Sequence, residues 1–331
     1  MSNNAWNEDE RKQSDDGQGR QDKEWRLIEK LLLDAGKEQR RARRWGIAFK
    51  LLTFIYLFAL LFLLSPNLDL SNAAKMSESH TALIDVQGVI AEGELAGADN
   101  IAKGLRNAFE NNKTKAVILR INSPGGTPVQ AGYIYDEIKR LRQLYPNIKL
   151  YAVISDLGAS GGYYIAAAAD KIYADKASLV GSIGVISSSF GFTGAMDKMG
   201  IERRVFAAGE SKAFLDPFSP MKEKDSEFWK SVLGVTHQQF IDRVKQGRGE
   251  RLQDDPKLFS GLIWSGEQAL ELGLIDGLGS TGYVAREIIG EENIVDFTPR
   301  PSPFEMFANR LGVSIGHTLA NYFGVTQVNY R

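Results

Sequence analysis

The chain has no cysteine, which excludes disulfides, thiolate metal sites and cysteine nucleophiles. Histidine is nearly as scarce, with three in 331 residues: His80, His237 and His317. A serine or threonine nucleophile would therefore have to find its base on a very short list, or use another residue type. An excess of one charge is missing too. Forty Lys and Arg balance 41 Asp and Glu to a net charge of −1, so no global field recruits nucleic acid or an acidic partner. What is abundant is apolar material: 43% hydrophobic residues suffice for one large domain with appendages.

Long apolar runs are absent with one exception. Leu51–Leu64 carries neither charge nor proline. Alone it falls short of the ~20 residues that span a bilayer. Counted from Trp45 it reaches that length, with Lys50 near one end, where its stem can snorkel. Two other readings compete. A buried core helix is disfavoured because the stretch is apolar all round. A cleaved signal segment has small residues to offer at Asn72-Ala73-Ala74, but a charged leader of 44 residues is far longer than a usual n-region. The expectation is an uncleaved transmembrane anchor over residues 45–65.

Lys37, Arg40, Arg41, Arg43 and Arg44 precede this stretch, and Lys75 is the basic residue that follows it closely. The positive-inside rule then predicts a cytoplasmic N-terminus in the inner membrane, with the main domain periplasmic or otherwise extracytoplasmic. Residues 1–22, rich in Asn, Asp, Gln, Ser and Gly, are expected to be disordered. Trp25, Ile28, Leu31, Leu32 and Ala35 share one helical face, as in a helix lying on the bilayer.

From Thr81 onward, short apolar strands alternate with helices. Strands are predicted at Ala82–Val86, Val89–Ala91, Ala116–Ile121, Leu150–Ile154, Lys171–Tyr173, Ile183–Ser187 and Glu202–Ala207. Helical spacing runs through Ile101, Leu105, Ala108 and Phe109, then from about Pro128 to Leu144, through Ser160 to Ala169, and from about Lys222 to Lys245. The pattern predicts an α/β domain, whose glycine-rich turns fall at the C-terminal ends of strands, where open α/β sheets place their sites.

Two of those turns carry chemistry. Gly158-Ala159-Ser160-Gly161-Gly162 has the G-x-S-x-G spacing, in which glycines leave a serine hydroxyl clear at a helix start whose free N–H groups face a developing oxyanion. Helix packing alone would also favour such small residues. Asn122-Ser123-Pro124-Gly125-Gly126 is a second glycine turn, read either as a plain connection or as the other wall of an oxyanion hole, with Gly125 or Gly126 donating. None of the three histidines lies in a glycine-rich loop. Lys212 does, in Ala208-Gly209-Glu210-Ser211-Lys212. A lysine works as a base only when neutral, which an ordinary pKa of ~10.4 nearly forbids at pH 7, so a lysine in that role has to be buried. Ser182, in Val180-Gly181-Ser182-Ile183-Gly184, is a candidate partner to aim it.

Taken together these residues resemble the signal peptide peptidase A family of membrane-anchored Ser-Lys peptidases, which belongs with the Clp-protease and crotonase fold of repeated β-β-α units. The ordered pieces are Asn122–Gly126, Ala159–Tyr164, Gly181–Val185, Lys212, Asp216-Pro217-Phe218, Trp264-Ser265-Gly266 and Ala269–Asp276. They cover about Thr81 to Leu278. The resemblance implies Ser160 as nucleophile, Lys212 as general base, Ser182 as the residue orienting it, and Gly126 and Gly161 as oxyanion-hole N–H donors. It further implies cleaved signal peptides, other apolar peptides and misfolded exported proteins as substrates, with no cofactor and no metal. One copy of the domain is present, as in family forms that build homo-oligomeric rings or domes, in which the lysine comes from the same or a neighbouring subunit. The segment Lys212-Ala213-Phe214-Leu215 departs from the smaller, more polar residues usual there.

The resulting partition is a polar cytoplasmic segment (1–44), an anchor (45–65), a linker (66–80), a Ser-Lys peptidase domain (81–298) and a tail (299–331). In the tail Phe304, Met306, Phe307, Leu311, Val313 and Leu319 suit an amphipathic helix. Two rival functions stay open. An α/β-hydrolase with a Ser-Asp-His triad would need His237 or His317, which follow Ser160 in the chain. A membrane scaffold that has lost activity would need no base at all.

Overall fold

The structure is a computed structural model and describes residue 41, residues 43–60 and residues 76–300. Residues 43–60 are helical, with exposed side chains, and belong to a unit separate from the domain. No helix among the described residues is long and apolar enough to cross a membrane. Residues 61–65 of the expected anchor, His317 and the tail from Pro301 lie outside the described residues.

The domain is α/β. In chain order it runs β1 (His80–Gln87), α1 (Ala98–Glu110), β2 (Thr114–Ser123), α2 (Pro128–Leu144), β3 (Lys149–Ala159), α3 (Gly161–Ala166), β4 (Lys171–Ala174) and β5 (Leu179–Gly181). It continues with α4 (Thr193–Lys198), α5 (Glu223–Arg248), β6 (Ile263–Ser265), α6 (Gly266–Glu271), β7 (Gly277–Leu278), α7 (Thr281–Tyr283) and β8 (Ile294–Asp296).

The sheet order is β6-β5-β3-β2-β1-β8, with β4 beside β3 and β7 beside β4. Every pairing is parallel except that of β5 with β6. Its central strands read as near-continuous apolar runs because both faces are covered, as parallel sheets require. Ala82, Ile84, Val86, Leu119 and Ile121 face the main core under α1 and α2, while Leu83, Ile118 and Val153 face a smaller one. Full burial of each large aliphatic side chain contributes about 1.5–3 kcal/mol.

β3 forks the sheet. Its first half, Tyr151–Ile154, pairs with β4, and its last residues, Leu157–Ala159, pair with β5. The second limb carries the chain to Ser160. On that side α5 packs through buried Phe240 and Val244. Its end is tied down by the buried Arg248, whose guanidinium donates to the Gly273 carbonyl at 2.9 Å and pairs with Asp276 at 2.6 Å.

Several sequence expectations change. The Val89–Ala91 strand shrinks to one bridge, Ile90 with Gly126. The strand placed at Ile183–Ser187 lies earlier, at Leu179–Gly181; Ser182 has φ 50°, which turns the chain out of the ladder. Glu202–Ala207 forms no strand among the described residues. Its residues are all exposed, and without a neighbouring edge a strand has no ladder to join. His237, read as solvated, is half-buried, and its Nε2 donates to the Ile183 carbonyl at 3.2 Å. His80 is fully buried on β1, stacked on Phe297 and bonded to the Thr114 hydroxyl.

Candidate active site

The turn after β2 is shaped by Ser123. Its buried hydroxyl donates to the Gly88 carbonyl at 2.6 Å and accepts from the N–H of Gly125 at 3.1 Å. Gly125 sits at φ +100°, a region closed to most L side chains, and a Cβ there would lie 2.7 Å from the nitrogen of Gly161. The turn is pinned from the other side by Ile90. Its N–H donates to the Gly125 carbonyl, and its own carbonyl accepts from Thr127, both at 2.9 Å. Between those bonds the N–H of Gly126 has no acceptor among the described residues, and a Cβ on Gly161 would lie 3.2 Å from its nitrogen. Gly161 itself opens α3, so its N–H is one of the orphan donors of a helix start. Two uncommitted N–H groups thus stand side by side.

Ser160 joins β3 to α3 at φ 52°, ψ −121°. That conformation costs of order 1–3 kcal/mol for a residue with a side chain. Among the described residues three non-glycines have positive φ: Ser160, Ser182 and Leu215. Two of the three meet here, which concentrates backbone strain at one place. The serine backbone is held at both ends, its N–H donating to Gly181 at 2.8 Å and its carbonyl accepting from Tyr164 at 2.9 Å. Its hydroxyl has no hydrogen-bond partner among the described residues. Ser182 follows Gly181 directly and is anchored by its N–H to the Leu262 carbonyl at 2.7 Å. Trp264 packs beneath that turn, its Cδ1 3.0 Å from where a Cβ on Gly181 would stand.

Beside Ser160 opens a pocket of about 420 Å³. Gly126, Ser160 and Gly161 line its head; Val129, Gly132, Tyr164, Val185 and Phe240 line its walls. At the far end Asp136 pairs with Arg243 at 3.0 Å, and that guanidinium lies 4.9 Å from the ring centre of Tyr135. Burial pushes the Tyr164 phenol upward, with Arg243 pulling the other way. The neighbouring Tyr163 points into the core, donating to the Leu274 carbonyl at 2.7 Å, and burial raises its phenol far out of its normal range.

The structure therefore brings Ser160, Gly126 and Gly161 together, with Ser182 one residue from the Gly181 bond. It does not bring in Lys212. That residue lies in an exposed turn, its N–H donating to Gly209 at 3.1 Å, and it is not part of the pocket wall. Its side chain has no hydrogen bond or ion pair among the described residues. The burial that a lysine base needs is not supplied within this single chain. Neither His80 nor His237 lines the pocket either.

Ser123 and Tyr164 lie in motifs legible in the sequence, where neither carries a role, and Gly132 was missed. The i, i+4 spacing of Ser160 and Tyr164 on one short helix was a usable signal for the second. Nothing local marked Gly132, which lies mid-helix in α2, far from Ser160 in the chain.

A family model for "Peptidase family S49" matches residues 142–294, a stretch that contains Ser160, Ser182 and Lys212. A Methanocaldococcus jannaschii protein named as a protease is 33% identical over 67% of this chain and 73% of its own length. The chloroplastic serine protease SPPA of Arabidopsis thaliana is 33% identical over 55% of this chain and 27% of its own. A Brucella abortus protein named Na(+)/H(+) antiporter NhaA is 48% identical over 57% of this chain, and the match spans 25% of that protein.

Proposed function

The chain belongs to peptidase family S49, and from that premise we propose that it is a membrane-anchored serine endopeptidase working through a Ser160–Lys212 dyad. The strained Ser160 beside the free N–H groups of Gly126 and Gly161, at the head of an apolar pocket, is the observation that carries this reading. In the proposed reaction the Ser160 hydroxyl attacks a peptide carbonyl while the neutral Lys212 amine takes its proton. The tetrahedral oxyanion is held by Gly126 and Gly161. The lysine then hands that proton to the leaving amine, and water, activated by the same lysine, hydrolyses the acyl-serine. Ser182 aims the amine.

The exposure of Lys212 favours a site completed by a second copy of the chain. Segment 186–206, which leads to the lysine turn, carries strongly exposed apolar side chains: Ile186 at 89%, Phe190 at 80% and Phe206 at 95%. In this reading a ring of subunits covers them and buries the lysine. The fold proposed is the Clp-protease and crotonase type, over residues 81–298. The anchor at 45–65 and its N-in orientation rest on the uncharged run and the basic cluster before it. Cleaved signal peptides and other apolar peptides are the proposed substrates. Antiport is not carried over, since three quarters of the Brucella protein lies outside the match.

The test is a peptidase assay of Ser160→Ala and Lys212→Ala, alone and mixed. Each alone should be inactive. Co-assembled one to one in a random ring, they should regain about a quarter of wild-type activity if the site lies between subunits, because about that share of sites pairs an intact serine with an intact lysine. Full activity in either single variant would overturn the dyad. A scaffold would show no cleavage in the wild type.

A further inference from the structure

We propose that Gly132 sets the size of the side chain accepted beside Ser160, with Tyr164 as the opposing wall. The inference rests on the reading of Ser160 as the nucleophile and goes on to the specificity of the same site.

Glycine inside a helix needs a reason, because it is less favourable there than alanine. Gly132 lies in the interior of the 17-residue helix α2, one turn after Val129 and one turn before Asp136, both of which also line the pocket. The usual reasons fail. Its φ is not positive, so no special backbone conformation demands glycine. No backbone approaches it closely. A Cβ built at this position meets a single atom within 4 Å, the hydroxyl oxygen of Tyr164, at 4.0 Å. What the missing side chain provides is therefore open space, and that space is the pocket.

The facing wall cannot recede. Tyr164 is locked to Ser160 by the backbone bond between them, and its ring packs against Phe240 at 5.0 Å and Tyr135 at 5.5 Å between centres. A larger residue at 132 would have to fill the gap rather than push the tyrosine back. The pocket shares Gly126, Ser160 and Gly161 with the oxyanion site, so its occupant is the side chain of the residue whose carbonyl is attacked. At the far end the Asp136 carboxylate is balanced by Arg243, which leaves no net charge to select a cation. The preferred occupant is then a bulky uncharged side chain, leucine or phenylalanine.

The experiment compares the full-length wild type with Gly132→Ala and Gly132→Val on peptides differing only in that residue, alanine against phenylalanine. The readout is the ratio of kcat/KM for phenylalanine over alanine, which does not change when a variant merely folds less completely. We expect Gly132→Val to lower the ratio by roughly ten- to a hundredfold, the scale of one or two methylene-sized changes in an apolar pocket. Gly132→Ala should shift it less, in the same direction. Alanine improves the helix, so this variant keeps the test open should valine prevent folding. A ratio unchanged or raised in the variants that fold overturns the proposal. Ser160→Ala runs in the same assay. Cleavage surviving in that variant overturns the serine assignment, whereas its loss alongside an unmoved ratio overturns the size gate alone.

Discussion

The N–H of Ser160 donates to the carbonyl of Gly181 at 2.8 Å, and this one bond couples the serine elbow to the turn that carries Ser182. Both serines have positive φ, near 50°. Each strained turn braces the other, and Leu262, the residue just before the antiparallel strand β6, braces both by accepting from the Ser182 N–H.

Gly126→Ala should nearly abolish peptidase activity. Its Cβ would lie 2.0 Å from the Ile90 carbonyl oxygen, so the turn must shift and take the Gly126 N–H with it. Loss of one oxyanion donor lowers kcat by roughly 10²–10³-fold. Steady-state kinetics would reveal it; a raised KM with normal kcat would contradict this role.

Ser123→Ala removes a buried hydroxyl that serves Gly88 and Gly125 at once. Leaving a buried group unpaired costs about 1–3 kcal/mol. We expect a lower denaturation midpoint together with reduced kcat, because the same turn presents Gly126. Stability falling with catalysis unaffected would separate the turn from the site.

Arg248→Ala removes the buried one of two guanidinium partners of Asp276, leaving Arg251 at 3.0 Å. The Arg248 side chain is 1% exposed and its partner Asp276 is 11% exposed. Removing one member of a buried pair costs about 3–5 kcal/mol when its partner is left uncompensated, and less here because Arg251 still pairs with Asp276. Urea unfolding of the isolated variant should show a loss of about 1–3 kcal/mol; a change under about 1 kcal/mol would mean that Arg251 alone suffices for Asp276.

Glu137, between Arg140 and Arg106, supplies a pH dependence. The Arg140 hydrogen bond, supported by Arg106 and opposed by burial, holds its carboxyl down at about 2, against an ordinary 4.5. The folded pKa is depressed, so the stabilisation is present above pH 4.5 and is lost as pH falls toward 2. That shift corresponds to about 3 kcal/mol, reduced to about 1–2 because both arginines are half exposed to solvent. Glu137→Gln should therefore destabilise the protein at pH 7 and much less at pH 3. An equal effect at both would remove the ion pairs as the cause.

Much of the domain was legible because its signals are local. The helix Pro128–Leu144 was readable from a proline at its first position and an apolar stripe, and Ala82–Val86 from a short run apolar but for Asp85, suited to a sheet covered on both faces. Strand identity failed where pairing rather than composition governs. Glu202–Ala207 ends in the apolar run Val205-Phe206-Ala207 but has no edge to join, and Ile183–Ser187 is apolar but follows a residue that turns the chain away.

Sequence by itself determined the chemistry available: no thiol, few imidazoles, a serine between glycines, a lysine in a loop and a second glycine turn. Those are properties of residue types and short spacings. Tertiary structure alone decided which of them meet. The fork of β3 and the bridge at Ile90 set Gly126 against Gly161, and the packing of Tyr164 on Phe240 turned a mid-helix glycine into a pocket wall. Such contacts join residues distant in the chain, and only the assembled sheet makes them neighbours.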